Sequence, residues 1–181
     1  MSHQIYYGAI EDDLFHLEII AHASRAKAEY YRTIYSTDKS HPEFLSEFEH
    51  ELSTNKGFLE FFVSDYLIKC STRTRIIQDS NIFQTEDPDY SPDKEAYEAY
   101  RETAKCIKGN VKLSIRECCN KIIHAKEVVL CYDQFDDGIG EYWNGFCRLS
   151  GDHQGRDWLI EIDIKKWVLA MKHYLDIIKE L

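Results

Sequence analysis

The spacing of apolar residues changes period at Ala125, and that change sets limits on the fold. Before it, apolar positions recur three and four residues apart, as on the buried stripe of a helix. After it, Lys126 to Tyr132 (KEVVLCY) and Tyr142 to Leu149 (YWNGFCRL) are rich in β-branched and aromatic residues, as strands are. Trp158 to Ile162 (WLIEI) reads as a third, largely buried strand, with the turn Gly151 to Gly155 (GDHQG) ahead of it. Helical spacing then returns from about Asp163, with Ile164, Trp167, Val168, Met171, Leu175 and Ile178 facing inward. The expected fold class is α+β, mainly α: about five helices, with a small three-stranded antiparallel sheet inserted before the C-terminal helix. A chain of 181 residues fits one domain over 1–181, with a helical part at about 9–125, a β-meander at about 126–162 and a closing helix at about 163–180.

Within the helical part, Ile10 to roughly Tyr35 forms a long first helix with Leu14, Leu17, Ala21, Ala28, Tyr31 and Tyr35 on one face. Residues 36 to 42 (STDKSHP) end it, and Pro42 suits the first turn of the next helix. The spacing predicts a short second helix carrying Phe44, Leu45, Phe48 and Leu52. Asn55 then caps a third, with Leu59, Val63, Tyr66, Leu67 and Cys70 in phase, running to about Asp79. Residues 80 to 93, with two prolines and several acids, read as a long polar loop. After Pro92 the apolar phase runs through Tyr97, Tyr100, Ala104, Ile107, Val111, Ile115, Cys118 and Ile122. That predicts one long helix bent at Gly109, or two nearly collinear ones.

The most regular stretch is Leu113 to Ala125 (LSIRECCNKIIHA). At about 100° per residue, Val111, Ile115, Cys118, Cys119, Ile122 and Ile123 share one side, and Leu113, Arg116, Glu117, Asn120 and His124 the other. Asn120 and His124, one turn apart, can meet; Arg116 lies about 12 Å from His124 along the axis.

The run Asn120-Lys121-Ile122-Ile123-His124 resembles the motif helix of the HEPN superfamily, helical domains whose members include metal-independent ribonucleases. Their pattern is an arginine, usually followed by a polar residue, with a histidine after four to six intervening residues. Asn120 and His124 match the polar position and the histidine, while Cys119 occupies the arginine position. Arg116 lies upstream, with seven residues between it and His124. The resemblance implies a catalytic set of Asn120, His124 and Arg116, in which the histidine is acid–base and the arginine holds the phosphate. A thiol at the arginine position leaves the transition-state charge without its stabiliser there.

Charge points elsewhere. The formal net charge is −10, which disfavours a surface built to neutralise phosphates and suits docking to a basic protein. Acidic residues concentrate in two loops, at Glu86, Asp87 and Asp89 and at Asp133, Asp136, Asp137 and Glu141. The second loop is not a calcium site, because Phe135 and Asn144 stand at the third and twelfth positions, where carboxylates are needed. His16 and His22 follow Asp12 and Glu18 by four residues and read as exposed acid–histidine pairs. The six cysteines include no Cys-x-x-Cys pair, and the N-terminus lacks the basic and apolar regions of a signal peptide. No apolar run approaches the ~18 residues needed to cross a membrane.

These features predict a non-enzymatic acidic protein of the cytoplasm, without metal or cofactor. Its class is an immunity protein or antitoxin that neutralises a basic, nuclease-type toxin by direct binding. A HEPN-like metal-independent ribonuclease is the alternative, with nucleic acid as partner only in that case. A homodimer is compatible with both.

Overall fold

The computed structural model describes residues 6–35, 42–80 and 90–181, with side chains from residue 46 onward in the second stretch. The described elements are five helices and four strands: α1 (Tyr7–Ile34), α2 (Pro42–Ser80), α3 (Pro92–Ala99), β1 (Ala104–Lys108), α4 (Ile115–Ile123), β2 (Glu127–Gln134), β3 (Glu141–His153), β4 (Arg156–Asp163) and α5 (Ile164–Glu180). The class is α+β, mainly α, as the sequence predicts.

The strands form one antiparallel sheet in the order β1-β4-β3-β2. One face of it is apolar by strict alternation: Trp143, Cys147 and Leu149 on β3, and Trp158, Ile160 and Ile162 on β4, are all buried. The buried stripes of α1, α4 and α5 join those residues in a single core, with Trp167, Tyr174 and Leu175 of α5 at most 1% exposed. α1 lies against α2, α5 and β3. Asp163 closes β4 and opens α5, its Oδ1 accepting from the backbone N–H of Lys165 at 3.1 Å and of Lys166 at 3.2 Å.

Three expectations are corrected. The expected break near Asn55 is absent, and Pro42–Ser80 is one helix of 39 residues. Ser53-Thr54-Asn55 is a cap signal in isolation, but packing on both sides of it holds the helix together. Upstream, Phe48 and Leu52 press on Gly140, where an added Cβ would sit 2.9 Å from Phe48 Cζ. Downstream, Val63, Leu67 and Cys70 enter the core, and Asn55 itself is buried. Arg73 ties α2 to α1, donating to the Ala9 carbonyl at 2.9 Å and pairing with buried Asp13.

The stretch after Pro92 is not a continuous helix. α3 stops at Ala99, Glu102 has a φ of 63°, and residues 104 to 108 form a strand paired to β4. Gly109, at φ +96°, then turns the chain beside β4, 3.2 Å from the Asp157 carbonyl for an added Cβ. Ile107, in helical phase by sequence, is exposed on that strand. The sheet accordingly has four strands where three were expected, the extra one arising from inside the predicted helix.

Candidate functional site

α4 begins at Ser114, whose Oγ accepts from the Glu117 backbone N–H at 3.2 Å. Ser114 and Glu117 have the spacing of a capping box, a signal present in the sequence that fixes where this helix starts. Its inward side is fully buried at Ile115, Cys118 and Cys119. Burial pushes the Cys119 thiol up to about 12 and the Cys118 thiol well above its ordinary range. Both thiols are therefore protonated and unreactive at neutral pH.

The outward side carries the residues that the HEPN resemblance selects, and each is already engaged or alone. Arg116 Nη2 donates to Asp79 Oδ1 at 2.8 Å, and Arg75 donates to the other oxygen at 3.0 Å. The Arg116 bond, more than any other contact, holds the Asp79 carboxyl below its usual range. Asn120 Nδ2 donates to Glu117 Oε2 at 3.1 Å, and Lys121 pairs with the same carboxylate at 3.2 Å, its Nζ 4.6 Å from the Trp158 ring centroid. His124 is the C-cap residue; its backbone N–H donates to the Asn120 carbonyl at 3.0 Å. Its ring is exposed and makes no hydrogen bond among the described residues. Cys119, at the arginine position of the pattern, faces the core and not His124.

The acidic loop between β2 and β3 has a different character. Arg32 of α1 pairs with Asp137, donates to the Ile139 carbonyl at 3.0 Å and stands 4.4 Å over the Phe135 ring. Lys56 of α2 donates to Glu141 at 2.8 Å and lies 4.3 Å over Tyr132. The arginine holds Asp137 below the ordinary carboxylate range. Asp133 accepts only a neutral amide bond, from Asn144 Nδ2 at 3.0 Å. Asp136 is exposed, and among the described residues neither it nor Asp133 has an ion-pair partner. Of the sequence-predicted partner-binding residues, the structure thus brings four to one braced hairpin end: Asp133 on β2, Asp136 and Asp137 in the loop and Glu141 at the start of β3. Glu86, Asp87 and Asp89 lie outside the described residues.

The histidine pairs expected on α1 are not formed. His16 Nδ1 contacts the Asp12 carbonyl oxygen at 2.7 Å and not its carboxylate, and its ring stacks on Tyr66 at 5.2 Å. Glu18 pairs instead with Lys172 at 2.6 Å. Among the described residues, no group of three or more His, Cys, Asp or Glu side chains could hold a metal ion. None of the described helices is long and apolar enough to cross a membrane.

A second surface escaped the sequence reading. Phe15 and Ile19 of α1 and Phe58, Phe61 and Phe62 of α2 stand exposed along the outer seam of the two helices. The signal was GFLEFF, residues 57 to 62, which holds more aromatic side chains than one inward stripe can bury.

No family model, curated protein or solved structure matches the chain.

Proposed function

We propose that this chain acts by binding another protein, and that its acidic β2–β3 loop docks on a basic partner. The observation carrying this reading is the bracing of that loop. Arg32 and Lys56 anchor Asp137 and Glu141 to α1 and α2, while Asp133 and Asp136 stand exposed and form no ion pair among the described residues, Arg25 acting on Asp136 only at longer range. A loop fixed before contact loses little conformational freedom on binding. Exposed carboxylates outside any ion pair steer a basic surface into register and raise the association rate. The formal charge of −10 adds a field of the same sign.

Immunity proteins and antitoxins that cap nuclease-type toxins are the functional class these properties fit, since a nuclease surface built to hold phosphate is basic. Six free thiols are in keeping with a reducing cytoplasm. Titration of the purified chain against the products of the genes flanking its own tests the reading. The expected result is a tight complex with a basic neighbour that weakens as salt is raised. Reversing both free charges, Asp133→Lys with Asp136→Lys, is expected to weaken it about tenfold or more. If no neighbour binds, or if the double variant binds as well as wild type, the reading fails.

A further inference from the structure

The seam between α1 and α2 carries a continuous run of stacked rings that nothing in the described chain covers. Phe58 stacks on Phe62 at 6.3 Å, Phe62 on Tyr66 at 6.3 Å, and Tyr66 on His16 at 5.2 Å, with interplanar angles of 20°, 21° and 4°. Beside this ladder runs a groove of about 420 Å³, floored by Ile19, Ile20 and Ala23 of α1 and walled by Phe58, Leu59 and Phe62 of α2. Ile19 is 48% exposed, Phe15 55%, Phe58 56% and Phe62 39%. Ordered aromatic rings at such exposure contribute nothing to the fold by their outer faces. Taking the exposed apolar side chains at about half of the ~150–250 Å² an aromatic can bury gives roughly 500 Å² of apolar surface. That is near the largest patch usual on a monomer.

The charges at the two ends of this face decide what covers it. Lys27 lines one end, its Nζ 5.7 Å from the Tyr31 ring centroid. Asp12 stands exposed at the other. Neither forms an ion pair among the described residues, although most charges on α1 do. Asp12, Phe15, Ile19, Ala23 and Lys27 follow one another at three- or four-residue spacing, so they share one face of the helix. Fifteen residues separate the two charges, about 22 Å of helix, and the midpoint falls at Ile19 and Ile20.

We infer that this face is a two-fold interface between two copies of the chain, with their α1 helices antiparallel and the axis at Ile19. A strip bearing an acid at one end, a cation at the other and apolar residues between is complementary to itself when turned end for end. Lys27 of each copy then meets Asp12 of the other, and both pairs form at once, as isologous symmetry requires. The apolar area doubles to on the order of 1000 Å², the lower bound for a stable specific interface. A uniformly basic partner fits less well, because Lys27 would repel it. Arg25, Glu29 and Arg32, which face the β2–β3 loop, lie on the far side of α1 from Lys27 by helical spacing. Dimerisation therefore leaves the acidic loop open, and this inference does not depend on the function proposed for that loop.

The mass of the intact chain in solution, by light scattering on a sizing column or by sedimentation, tests the interface. Wild type is expected to run at twice its 21.3 kDa, more weakly associated at high salt. Ile19→Asp sets like charges against each other on the axis and is expected to give a monomer with an unchanged helical circular dichroism spectrum. Asp12→Lys and Lys27→Asp should each weaken association roughly tenfold, since each change removes two symmetry-related pairs. The double variant Asp12→Lys/Lys27→Asp should restore it. A monomeric wild type overturns the inference. So does an Ile19→Asp protein that remains a dimer, or a double variant no tighter than the single ones.

Discussion

Arg116 and Asp79 join the first turn of α4 to the last turn of α2 through a 2.8 Å bond, with Arg75 on the carboxylate's other oxygen. The side chains of the pair are 44% and 55% exposed, so its net contribution is that of a surface pair, under about 1 kcal/mol. The Asp79 carboxyl is held below its ordinary 3.8 when folded. Its contribution is therefore present in full above that unfolded value and is lost as pH falls through the lower folded one. Thermal melts of Arg116→Ala should show a small deficit at neutral pH that closes as the pH drops below 3.8. A deficit constant down to strong acid would mean the arginine stabilises the fold by packing.

Exposed His124, at the end of α4, separates binding from catalysis. Its ring lacks a partner among the described residues, and the cation nearest to it in the family pattern is committed to Asp79. His124→Ala is expected to leave stability within about 0.5 kcal/mol of wild type. Under the binding reading, both proteins leave RNA intact in the absence of added metal. Cleavage by wild type that disappears in His124→Ala would refute that reading and favour the ribonuclease one.

Ser114 marks what local sequence could disclose. Its cap bond to Glu117 is encoded three residues apart, so Ser114→Ala should cost about 1 kcal/mol, measured by urea denaturation. A change near zero would assign the start of α4 to packing of Ile115 alone. The helical periods of α1 and α5 and the strand character of β2, β3 and β4 were legible for the same reason: each element buries one face against the core, so its own residues display the pattern. β1 was not legible. Ala104 and Cys106 pair with Ile162 and Ile160, almost sixty residues away, and nothing local announces such a contact. The unbroken run of α2 through Asn55 was hidden likewise, because Gly140, which receives Phe48 and Leu52, belongs to the β2–β3 loop. At the candidate sites the residue types were legible but not their pairings. Sequence could gather Asp133 to Glu141 on one loop, but not show that Arg32 and Lys56 take two of those charges.

Trp167 tests where the core resides. It is a completely buried residue of α5 in the single core, and its indole N–H has no partner among the described residues. Trp167→Ala should lose about 3–5 kcal/mol, the range for a large core aromatic. Trp167→Phe removes the unpaired donor as well as part of the ring and should cost less. Equal losses for the two variants would show that the site needs indole volume and gains nothing from shedding the N–H.

The buried Cys119 thiol contributes to the alkaline limit of the chain's stability. Burial raises its thiol from 9.0 to about 12, so the folded chain keeps the proton while the unfolded chain releases it. Stability from this group is complete below pH 9.0 and is lost as pH rises toward the folded value. Across that window the loss is about 1.4 kcal/mol per pH unit for one proton. Tyr97 and Tyr174, also raised to about 12 by burial, and the thiols of Cys70, Cys118 and Cys147, raised by the same cause, contribute over the same range, so the total slope cannot be read directly. The difference between wild type and Cys119→Ala isolates the thiol: the variant starts less stable because it loses buried volume, but its stability should fall more slowly above pH 9.0. Parallel curves would mean that the thiol ionises alike in both states and would refute the burial-driven shift.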